Sequence, residues 1–579
     1  MRLSQLFTKT SKNAPADETA VSAKLLIQAG FIHKEMAGVY AYLPLGKLVL
    51  DNIAQIVREE MNAVGGQEVQ MTVLQPRDLF EKTNRWDDSV VDNWFKTKLA
   101  NGTDLGMGLT HEEPVVDALK DFVSSYKDLP VSVYQIQSKF RNELRAKSGL
   151  LRGREFTMKD MYSFARSQEE HTEVYEKIAV AYAKVYERLG IGNITYRTYA
   201  DGGYFTDKFS DEFQTRSEIG EDLVFHVPDT DLYFNQEVAP SRMPQSNPHQ
   251  ESLELKEVAG EGVIGVEALL EHLHITIEQS TKTLFFVTDS NELVAAAVRS
   301  DYGVNELKLA RAIGCKSLRL ADEALVRQRT GAELGYAGLL HLPADISLYC
   351  DDSLEGLCNF ETGANRTGYH AVNVNFERDV SKPERFYDFK EAKKGDLHPE
   401  TGKAYEVFKA CEVGNIFPLE SKYTDALDLY YTDESGKQQS IIMGCYGIGI
   451  SRLMGVIAQE FADDKGLVWP ESIAPAKVYL ARIGDEPEVV RQADELYDLL
   501  TSNGTLVLYD DRDIRPGQKF ADADLMGIPY RVVISPKLVE SSTLEIKTRQ
   551  ADESEILSRE EAIQQLTSRE KHNLQYLPK

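Results

Sequence analysis

The segment 140–160, F-R-N-E-L-R-A-K-S-G-L-L-R-G-R-E-F-T-M-K-D, is the most informative part of this sequence. It contains six Lys and Arg against three Asp and Glu, a local charge of +3 in a chain whose net charge is -27. Arg141 offers a planar fork to a phosphate, Glu143 can accept a hydrogen bond from an exocyclic amine, and Phe156 can stack on a base. The alternative is a strand, a turn and a second strand with a solvated basic face. Composition alone leaves both interpretations open.

The overall composition limits the class of protein. The 579 residues are 42% hydrophobic and 27% charged, as in ordinary soluble globular proteins, and they suffice for about three to four domains. No window approaches the ~18 uninterrupted apolar residues of a membrane helix, so we expect a cytoplasmic protein with no membrane contact. The five cysteines form no C-x-x-C pair, which indicates neither a disulfide framework nor a zinc cluster. The acidic balance argues against a nonspecific nucleic-acid coat but permits a partner bound by local basic patches.

Hydrophobic periodicity predicts elements on both sides of the opening segment. Apolar residues at three- and four-residue spacing predict a helix over 46–64, which the pair Gly65-Gly66 would end. Alternation from Val69 to Val73 predicts a strand that ends before Pro76. A second helix is predicted over 169–189.

Further along, alternating strand-like and helical patterns in the sequence suggest two more units. From about 222 to 407, strand-like runs such as T-L-F-F-V and L-V-A-A-A-V alternate with a helical stretch at 305–313. After Pro475, strand patterns at 478–481 and 506–509 enclose a helical pattern at 487–500. Both stretches predict α/β units.

A glycine-rich turn lies in 443–459, M-G-C-Y-G-I-G-I-S-R-L-M-G-V-I-A-Q. A strand that runs into a helix at these glycines would direct backbone N–H groups, the helix dipole and Arg452 towards an anion. Glycines that serve only packing are the alternative. The pattern lacks the G-K-[ST] of a P-loop.

The segment 106–113, G-M-G-L-T-H-E-E, places Thr110 and Glu112 two residues apart. They would share a face if the segment is extended. A hydroxyl beside a carboxylate suits a small ammonium or imino group, and a surface loop is the alternative.

In this order, the helix and strand before Pro76, F-R-N-E with Arg152, Phe156 and Asp160, and G-I-G-I-S-R resemble motifs 1, 2 and 3 of the class II aminoacyl-tRNA synthetases. The likeness extends over nearly the whole chain. P-L-G at 44, L-T-H-E at 109, D-E-F-Q at 211, E-V-G-N-I-F at 412, M-G-C-Y-G-I-G at 443 and D-D-R-D-I-R-P-G-Q-K-F-A-D-A-D-L-M-G-I-P at 510 together resemble the bacterial-type prolyl-tRNA synthetases.

The resemblance implies an AMP-forming proline:tRNA ligase that uses ATP and Mg²⁺ to make prolyl adenylate and then charges tRNA(Pro). It implies an α/β (α+β) fold, in which a class II antiparallel sheet flanked by helices occupies 1–222 (motifs 1 and 2) and 408–472 (motif 3). An inserted α/β editing domain over 223–407 and a C-terminal α/β anticodon-binding domain over 473–579 complete it. Motif 1 implies a homodimer.

The resemblance also implies roles for individual residues. Arg141 and Arg452 would be catalytic, on the α- and γ-phosphates of ATP respectively. The implied ATP-binding residues are Arg141, Glu143 at the adenine amine, Arg152, Phe156 at the adenine face, Glu412 as a magnesium ligand, and Arg452. The implied proline-binding residues are Thr110, Glu112, Arg141 and Cys445.

Two further sites follow from the likeness. Lys282 and His370 would belong to an editing site that hydrolyses misacylated Ala-tRNA, because a pocket for proline cannot strongly exclude alanine. Residues that would contact tRNA are Arg145, Lys147, Arg512, Arg515 and Lys519. The sequence departs from the family at Asp211, where histidine is usual, and at Leu339, where the editing loop usually has proline.

Two other functions remain open at this point. A class II ligase for another small amino acid would share the ATP motifs. A catalytically silent tRNA-binding paralogue is the second alternative, and retention of Arg141, Glu143 and Arg452 speaks against it.

Overall fold

The computed structural model describes residues 1–146, 148–244 and 251–567. The chain divides into two compact units. The first comprises Met1–Arg197, Gly202–Glu221 and Lys409–Lys579, and the second comprises Thr198–Asp201 and Asp222–Phe408.

The helices are α1 (Val21–Gln28), α2 (Pro44–Ala63), α3 (Arg77–Glu81), α4 (Glu112–Leu119), α5 (Gln168–Arg188), α6 (Val266–Leu273), α7 (Glu306–Ile313), α8 (Glu323–Thr330), α9 (Lys422–Ala426), α10 (Ile450–Glu460), α11 (Pro487–Ser502), α12 (Pro516–Met526), α13 (Pro536–Glu540) and α14 (Arg559–Thr567). The strands up to residue 235 are β1 (Ile32–Met36), β2 (Val39–Tyr42), β3 (Gln67–Glu68), β4 (Leu74–Pro76), β5 (Lys96–Lys98), β6 (Asp104–Met107), β7 (Val131–Phe140), β8 (Glu155–Ala165), β9 (Thr195–Asp201), β10 (Phe209–Arg216), β11 (Asp222–His226) and β12 (Tyr233–Asn235). The later strands are β13 (Lys256–Ala259), β14 (Thr281–Thr288), β15 (Leu293–Arg299), β16 (Leu318–Leu320), β17 (Ser347–Asp351), β18 (Phe360–Gly363), β19 (Tyr369–Val374), β20 (Phe386–Tyr387), β21 (Glu406–Glu420), β22 (Tyr430–Thr432), β23 (Gln438–Ser440), β24 (Ile442–Gly449), β25 (Val478–Arg482), β26 (Val507–Asp510), β27 (Tyr530–Ile534), β28 (Thr543–Thr548) and β29 (Glu555–Ser558).

The first unit is organised around a sheet in which β10, β21, β24, β8 and β7 are successive antiparallel neighbours. The short strand β3 joins β7 in parallel. Helices α2 and α5 confirm the helices predicted over 46–64 and 169–189, and Pro44 at the first turn of α2 has the fixed φ that a helix start requires. This antiparallel sheet with flanking helices confirms the predicted fold class.

The strand predicted from Val69 to Val73 is wrong. Strand β3 ends at Glu68 and β4 begins at Leu74. The physical reason is that side chains replace the backbone ladder, because the N–H of Met71 donates to Gln135 Oε1 and its carbonyl accepts from Gln137 Nε2.

The two faces of this sheet have different environments. On one face, alternate residues such as Met161, Tyr446 and Ile448 belong to the core that includes α2, α5 and α10. The other face carries Tyr162 and Cys445, which belong to a second core with residues of α3, α4 and α9. We call these the helix face and the open face. Since strand residues alternate between faces, register decides which side chains share the open face.

The C-terminal part of the first unit is a separate α/β layer. Its sheet has the order β26-β25-β27-β28-β29, and β25, α11 and β26 confirm the strand–helix–strand pattern predicted after Pro475. The N-terminal segment pairs with this sheet through a parallel bridge between Arg2 and Tyr509.

The second unit contains a five-stranded sheet of order β16-β14-β15-β17-β20 and a three-stranded sheet of order β13-β19-β18. Strands β14 and β15 confirm the runs predicted from T-L-F-F-V and L-V-A-A-A-V. Helix α7 confirms the helix predicted at 305–313, with the side chain of Asn305 accepting from the N–H of Lys308 at its start. Across the described ranges, no helix has both the length and the apolar character that a membrane crossing needs.

Candidate active site

Strands β7 and β8 pair antiparallel, so the opening segment has the strand, turn and strand of the alternative interpretation, and the predicted ATP-binding side chains lie on this hairpin. Arg141 follows β7, and its guanidinium carbon lies 5.4 Å from the centre of the Phe156 ring on β8. Glu143 Oε2 accepts from Arg152 Nε at 2.9 Å and from Nη2 at 2.7 Å. The hairpin therefore groups a cation, an aromatic face and an oriented carboxylate at one end of the sheet. Of the predicted tRNA-contacting residues in the turn, Arg145 is exposed and Lys147 lies outside the described residues.

Arg452 lies in the first turn of α10, directly after the glycines of β24, as predicted. Its Nε donates to the carbonyl of Leu151 at 2.8 Å, and its Nη1 donates to the carbonyl of Glu412 at 2.7 Å. Nη1 also lies 3.2 Å from Glu412 Oε2. Both side chains remain about one-third exposed, at 31% and 33%. This arrangement fixes a guanidinium at the end of the sheet without consuming all of its donors.

Glu412, the partner of Arg452, is the predicted magnesium ligand. Within the described residues there is no group of three or more His, Cys, Asp or Glu side chains that could enclose a metal ion. Magnesium at nucleotide sites usually keeps waters and phosphate oxygens and takes only one or two protein carboxylates. The single carboxylate of Glu412 fits that mode of binding.

Glu112 occupies the centre of a buried acidic pocket. It is the first residue of α4, so the extended backbone expected between Thr110 and Glu112 is not found. The two side chains still converge, because Thr110 Oγ1 donates to Glu112 Oε2 at 2.5 Å. Cys445 Sγ on β24 donates to Glu112 Oε1 at 3.2 Å. Two of the predicted proline-binding residues, Thr110 and Cys445, thus contact a third, Glu112.

Sequence reasoning missed Arg85, which lies between two acids. Its Nη1 is 3.0 Å from Glu112 Oε2 and 3.0 Å from Glu113 Oε2, and all three side chains are at most 2% exposed. The guanidinium carbon also lies 5.3–5.4 Å from the ring centres of Tyr204, Phe205 and Tyr423. The one signal in the sequence was the Glu112-Glu113 doublet before an apolar helix, since two buried carboxylates require a cation.

Burial and charge act in opposite directions on these acids. Burial favours the neutral form of Glu112, but the charge of Arg85 and the hydrogen bond from Thr110 outweigh it and lower the pKa of Glu112. For Glu113, burial together with the neighbouring Glu112 charge outweighs Arg85 and raises the pKa. Glu112 is therefore the more strongly ionised of the two.

A second buried network holds the turn that carries Glu112. His111 Nδ1 lies 2.6 Å from Lys139 Nζ, and its Nε2 lies 3.0 Å from the carbonyl of Thr72. Lys139 Nζ is 2.8 Å from Asp160 Oδ1, and Tyr162 donates to Asp160 Oδ2 at 2.8 Å. Burial, reinforced by the charge of Lys139, lowers the pKa of His111 to about 4. The imidazole is therefore neutral near pH 7 and can accept from Lys139.

Asp211 lies on the other side of the sheet from Glu112. It pairs in register with Ile416, which packs in the core on the helix face. Its Oδ2 accepts from Tyr175 on α5 at 2.8 Å and from Arg197 Nη2 at 2.9 Å. The departure from the usual histidine therefore affects the packing of α5, whereas the acidic pocket is on the open face.

The predicted tRNA-contacting residues of the C-terminal layer have different environments. Lys519 is buried, and its Nζ donates to the carbonyls of Arg482 at 2.6 Å and Asp510 at 3.1 Å. This burial does not fit the predicted contact with tRNA. Arg512 is bound to Asp510 at 2.7 Å, and Arg515, just before α12, is exposed. Arg515 is the best placed of the three to meet a ligand.

Within the second unit, the two residues expected in the editing site lie on different sheets. Lys282 is half-buried on β14, where burial lowers its pKa. His370 is buried on β19, with its Nδ1 3.3 Å from Glu361 Oε1. A parallel bridge between Ser280 and Glu361 connects the two sheets. At the position where the editing loop usually has proline, Leu339 is buried and its N–H donates to Thr362 Oγ1 at 3.0 Å.

Comparison with known proteins agrees with this architecture. The model of the class II tRNA synthetase core domain (G, H, P, S and T) matches residues 95–461, and the model of the anticodon-binding domain matches residues 477–569. A proline–tRNA ligase of Moorella thermoacetica is 40% identical over 555 residues, covering 96% of this chain and 96% of that protein. One from Listeria innocua is 39% identical with the same coverage of both chains.

Solved structures share the fold at much lower identity. Prolyl-tRNA synthetase of Cryptosporidium parvum, in a complex with L-proline and AMP, has a TM-score of 0.55 at 12% identity and covers 96% of this chain and 77% of that one. The enzyme of Giardia lamblia, in a complex with prolyl-adenylate, has a TM-score of 0.55 at 13% identity, with coverage of 94% and 75%. From the family models and the extent of the curated matches, the chain belongs to the proline–tRNA ligases of the class II aminoacyl-tRNA synthetases.

Proposed function

We propose that this chain activates L-proline with ATP and transfers it to tRNA(Pro). The observation that carries the proposal is the buried carboxylate of Glu112, held by Thr110 and Cys445 on the open face of the class II sheet. A buried carboxylate is a suitable partner for the secondary ammonium of proline. The names of the curated relatives support the same amino acid.

The remaining side chains suit the nucleotide. We assign the adenine ring to Phe156 and its exocyclic amine to Glu143. Both hydrogen bonds from Arg152 end on Glu143 Oε2, and we therefore assign Oε1 to the amine. Arg141 would bridge the proline carboxylate and the α-phosphate, and Arg452 would bind the γ-phosphate.

The chemistry follows from these positions. A carboxylate oxygen of proline attacks the α-phosphorus, the bond to the β-phosphate oxygen breaks, and pyrophosphate leaves. Negative charge spreads over the phosphate oxygens, which fixed guanidinium groups stabilise without a general base. A ribose hydroxyl of tRNA then attacks the carbonyl of the adenylate, and AMP leaves. Magnesium, held by Glu412 and the phosphates, would supply further neutralisation of charge.

Amino-acid-dependent pyrophosphate exchange across a panel of amino acids tests this assignment. We expect exchange with proline above all others, and preference for another small amino acid would identify a different ligase of the class. Arg141→Ala should abolish exchange and leave the fold intact. Arg77→Ala is the matched control, because Arg77 is an exposed arginine that forms ion pairs with Glu81 and Asp104 and lies 5.9 Å from the ring centre of Trp86. Full activity of Arg141→Ala would refute the role of Arg141.

We further propose that 223–407 is an editing domain, inserted between the two parts of the catalytic domain at 1–222 and 408–472, and that it hydrolyses Ala-tRNA(Pro). The buried contact of His370 with Glu361 supports a defined orientation of the imidazole, and Lys282 is assigned to the same site. Deacylation of Ala-tRNA(Pro) by wild type, His370→Ala and the exposed control His341→Ala tests this. Equal rates for wild type and His370→Ala would remove His370 from the site.

The tRNA contacts and the assembly complete the proposal. We assign the anticodon to 473–579, with Arg515 as the principal contact and Arg512 in support, and the acceptor end to Arg145 and Lys147. A homodimer is proposed from the resemblance at motif 1, and a cytoplasmic location from the sequence composition. Sedimentation that shows only monomer at micromolar concentration would contradict the dimer.

A further inference from the structure

The acidic pocket contains two buried carboxylates and one guanidinium in direct contact. Glu112 and Glu113 are 0% exposed, and Arg85 is 2% exposed. Thr83 Oγ1 donates to Glu113 Oε1 at 2.7 Å. Arg85 contacts both acids through the same nitrogen, Nη1. Its single charge is therefore shared between two partners.

The surroundings of Arg85 fix its position with few other polar contacts. Three aromatic rings lie 5.3–5.4 Å from its guanidinium carbon, at distances where a cation is attracted to ring faces. A further cation, Lys422, lies outside this group, and its Nζ donates to the carbonyls of Tyr204 and Phe205 at 2.9 and 3.1 Å. Asp207 acts on Lys422 with the opposite charge. On the other side of Glu112, the charge of Lys139 is paired with Asp160 at 2.8 Å. Among the described residues, Arg85 is therefore the cation in direct contact with the two glutamates.

We propose that Arg85 is a specificity-determining positioning residue, which divides its charge between Glu112 and Glu113 so that the pocket keeps one net negative charge for the ammonium of the amino acid. This inference rests on the proposed function, in which Glu112 binds that ammonium. Two carboxylates and one guanidinium sum to a charge of -1, which matches one ammonium group.

Removing Arg85 and removing the charge of Glu113 change the net charge of the pocket in opposite directions. Without Arg85, the two adjacent buried carboxylates repel each other, Glu112 loses the contact that holds it in place, and a proton shared between the carboxylates competes with the substrate's ammonium for Glu112. Without the charge of Glu113, Arg85 pairs wholly with Glu112 and the net charge falls to zero. Both changes weaken proline binding, and making them together restores a charge of -1.

The test is a double-mutant cycle in proline-dependent pyrophosphate exchange, with KM measured separately for proline and ATP. We expect Arg85→Met to raise KM for proline by about tenfold or more, the usual cost of losing a charged hydrogen-bonded contact. Glu113→Gln should raise it by about three- to tenfold on the same basis. The double variant should recover to within about threefold of wild type, since contacting residues couple strongly. KM for ATP should stay unchanged throughout, and Arg77→Met serves as the exposed control.

The outcomes separate this inference from the proposed function. Suppose that wild type exchanges with proline, but KM for proline in the double variant rises by the product of the two single-variant increases. Arg85 then has only a structural role, and the inference fails. If wild type shows no exchange with proline, the proposed function itself fails. If Arg85→Met does not fold, Glu113→Gln decides alone, and an unchanged KM for proline in that variant overturns the inference.

Discussion

Gly447 and Gly444 provide a matched pair for testing which face of the sheet binds the substrates. Gly447 lies on the open face of β24, which carries Cys445 and leads into α10 with Arg452. It is in register with Asn415 on one side and Asp160 on the other. A Cβ built on Gly447 would have Met158 Sδ at 3.7 Å as its nearest neighbour, an ordinary contact. A Cβ on Gly444, which is on the helix face, would lie 2.3 Å from the Tyr446 hydroxyl and 2.9 Å from His171 Cε1.

These distances give opposite expectations for alanine. Gly447→Ala should leave the free energy of unfolding unchanged or raise it by up to about 1 kcal/mol, because it restricts the unfolded chain and meets no clash. Under the proposed assignment of the open face to the substrates, the new methyl group would occupy space required by the adenylate. Overpacking of about 1–3 kcal/mol corresponds to about 5- to 150-fold weaker binding. Gly444→Ala should instead destabilise the fold by about 1–3 kcal/mol or more.

Urea unfolding and proline-dependent pyrophosphate exchange measure the two effects separately. The expected result is a folded Gly447→Ala variant with raised KM for ATP or proline, beside a destabilised Gly444→Ala variant. A folded Gly447→Ala variant with wild-type KM for both substrates would refute the assignment of the open face as the substrate site.

Other consequences can be measured directly. Because the pKa of Glu113 is raised by burial, the pocket gains a proton at a higher pH than an ordinary glutamate would, so KM for proline should rise as pH falls through this range. Glu113→Gln should abolish that dependence in the pH profile of KM. Arg515→Ala should raise KM for tRNA by several-fold with pyrophosphate exchange intact. Lys519→Met should lower the free energy of unfolding by about 2 kcal/mol or more, because the carbonyls of Arg482 and Asp510 lose the ammonium that donates to them. Burial lowers the pKa of Lys159 to about 7, against about 10.4 in the unfolded chain. Between pH 7 and 10 the unfolded chain therefore binds more protons than the folded one, so the free energy of unfolding rises with pH. Lys159→Met should reduce this rise in denaturation measured from pH 7 to 10.

The sequence predicted helices best where apolar residues recur with a clear helical period and a glycine ends the pattern. Helix α5 matches the predicted helix to within a residue at each end, and Gly190 follows its C-cap residue Leu189. The strand predicted at Val69–Val73 failed for a reason that is not local. The amide side chains of Gln135 and Gln137, more than 60 residues away, take the backbone groups of Met71 that a strand would use.

By itself, the sequence determined the class of the protein, its main helices and the identities of the side chains in the motifs, because periodicity, glycine stops and ordered motifs are properties of neighbouring residues. Only the tertiary structure decided which side chains share a face and a charge. It placed Asp211 on the helix face, buried Lys519 beneath two carbonyls, and brought Arg85 between Glu112 and Glu113. These contacts depend on strand register and on chain crossings that join distant segments, and a buried carboxylate finds its cation in space rather than along the chain.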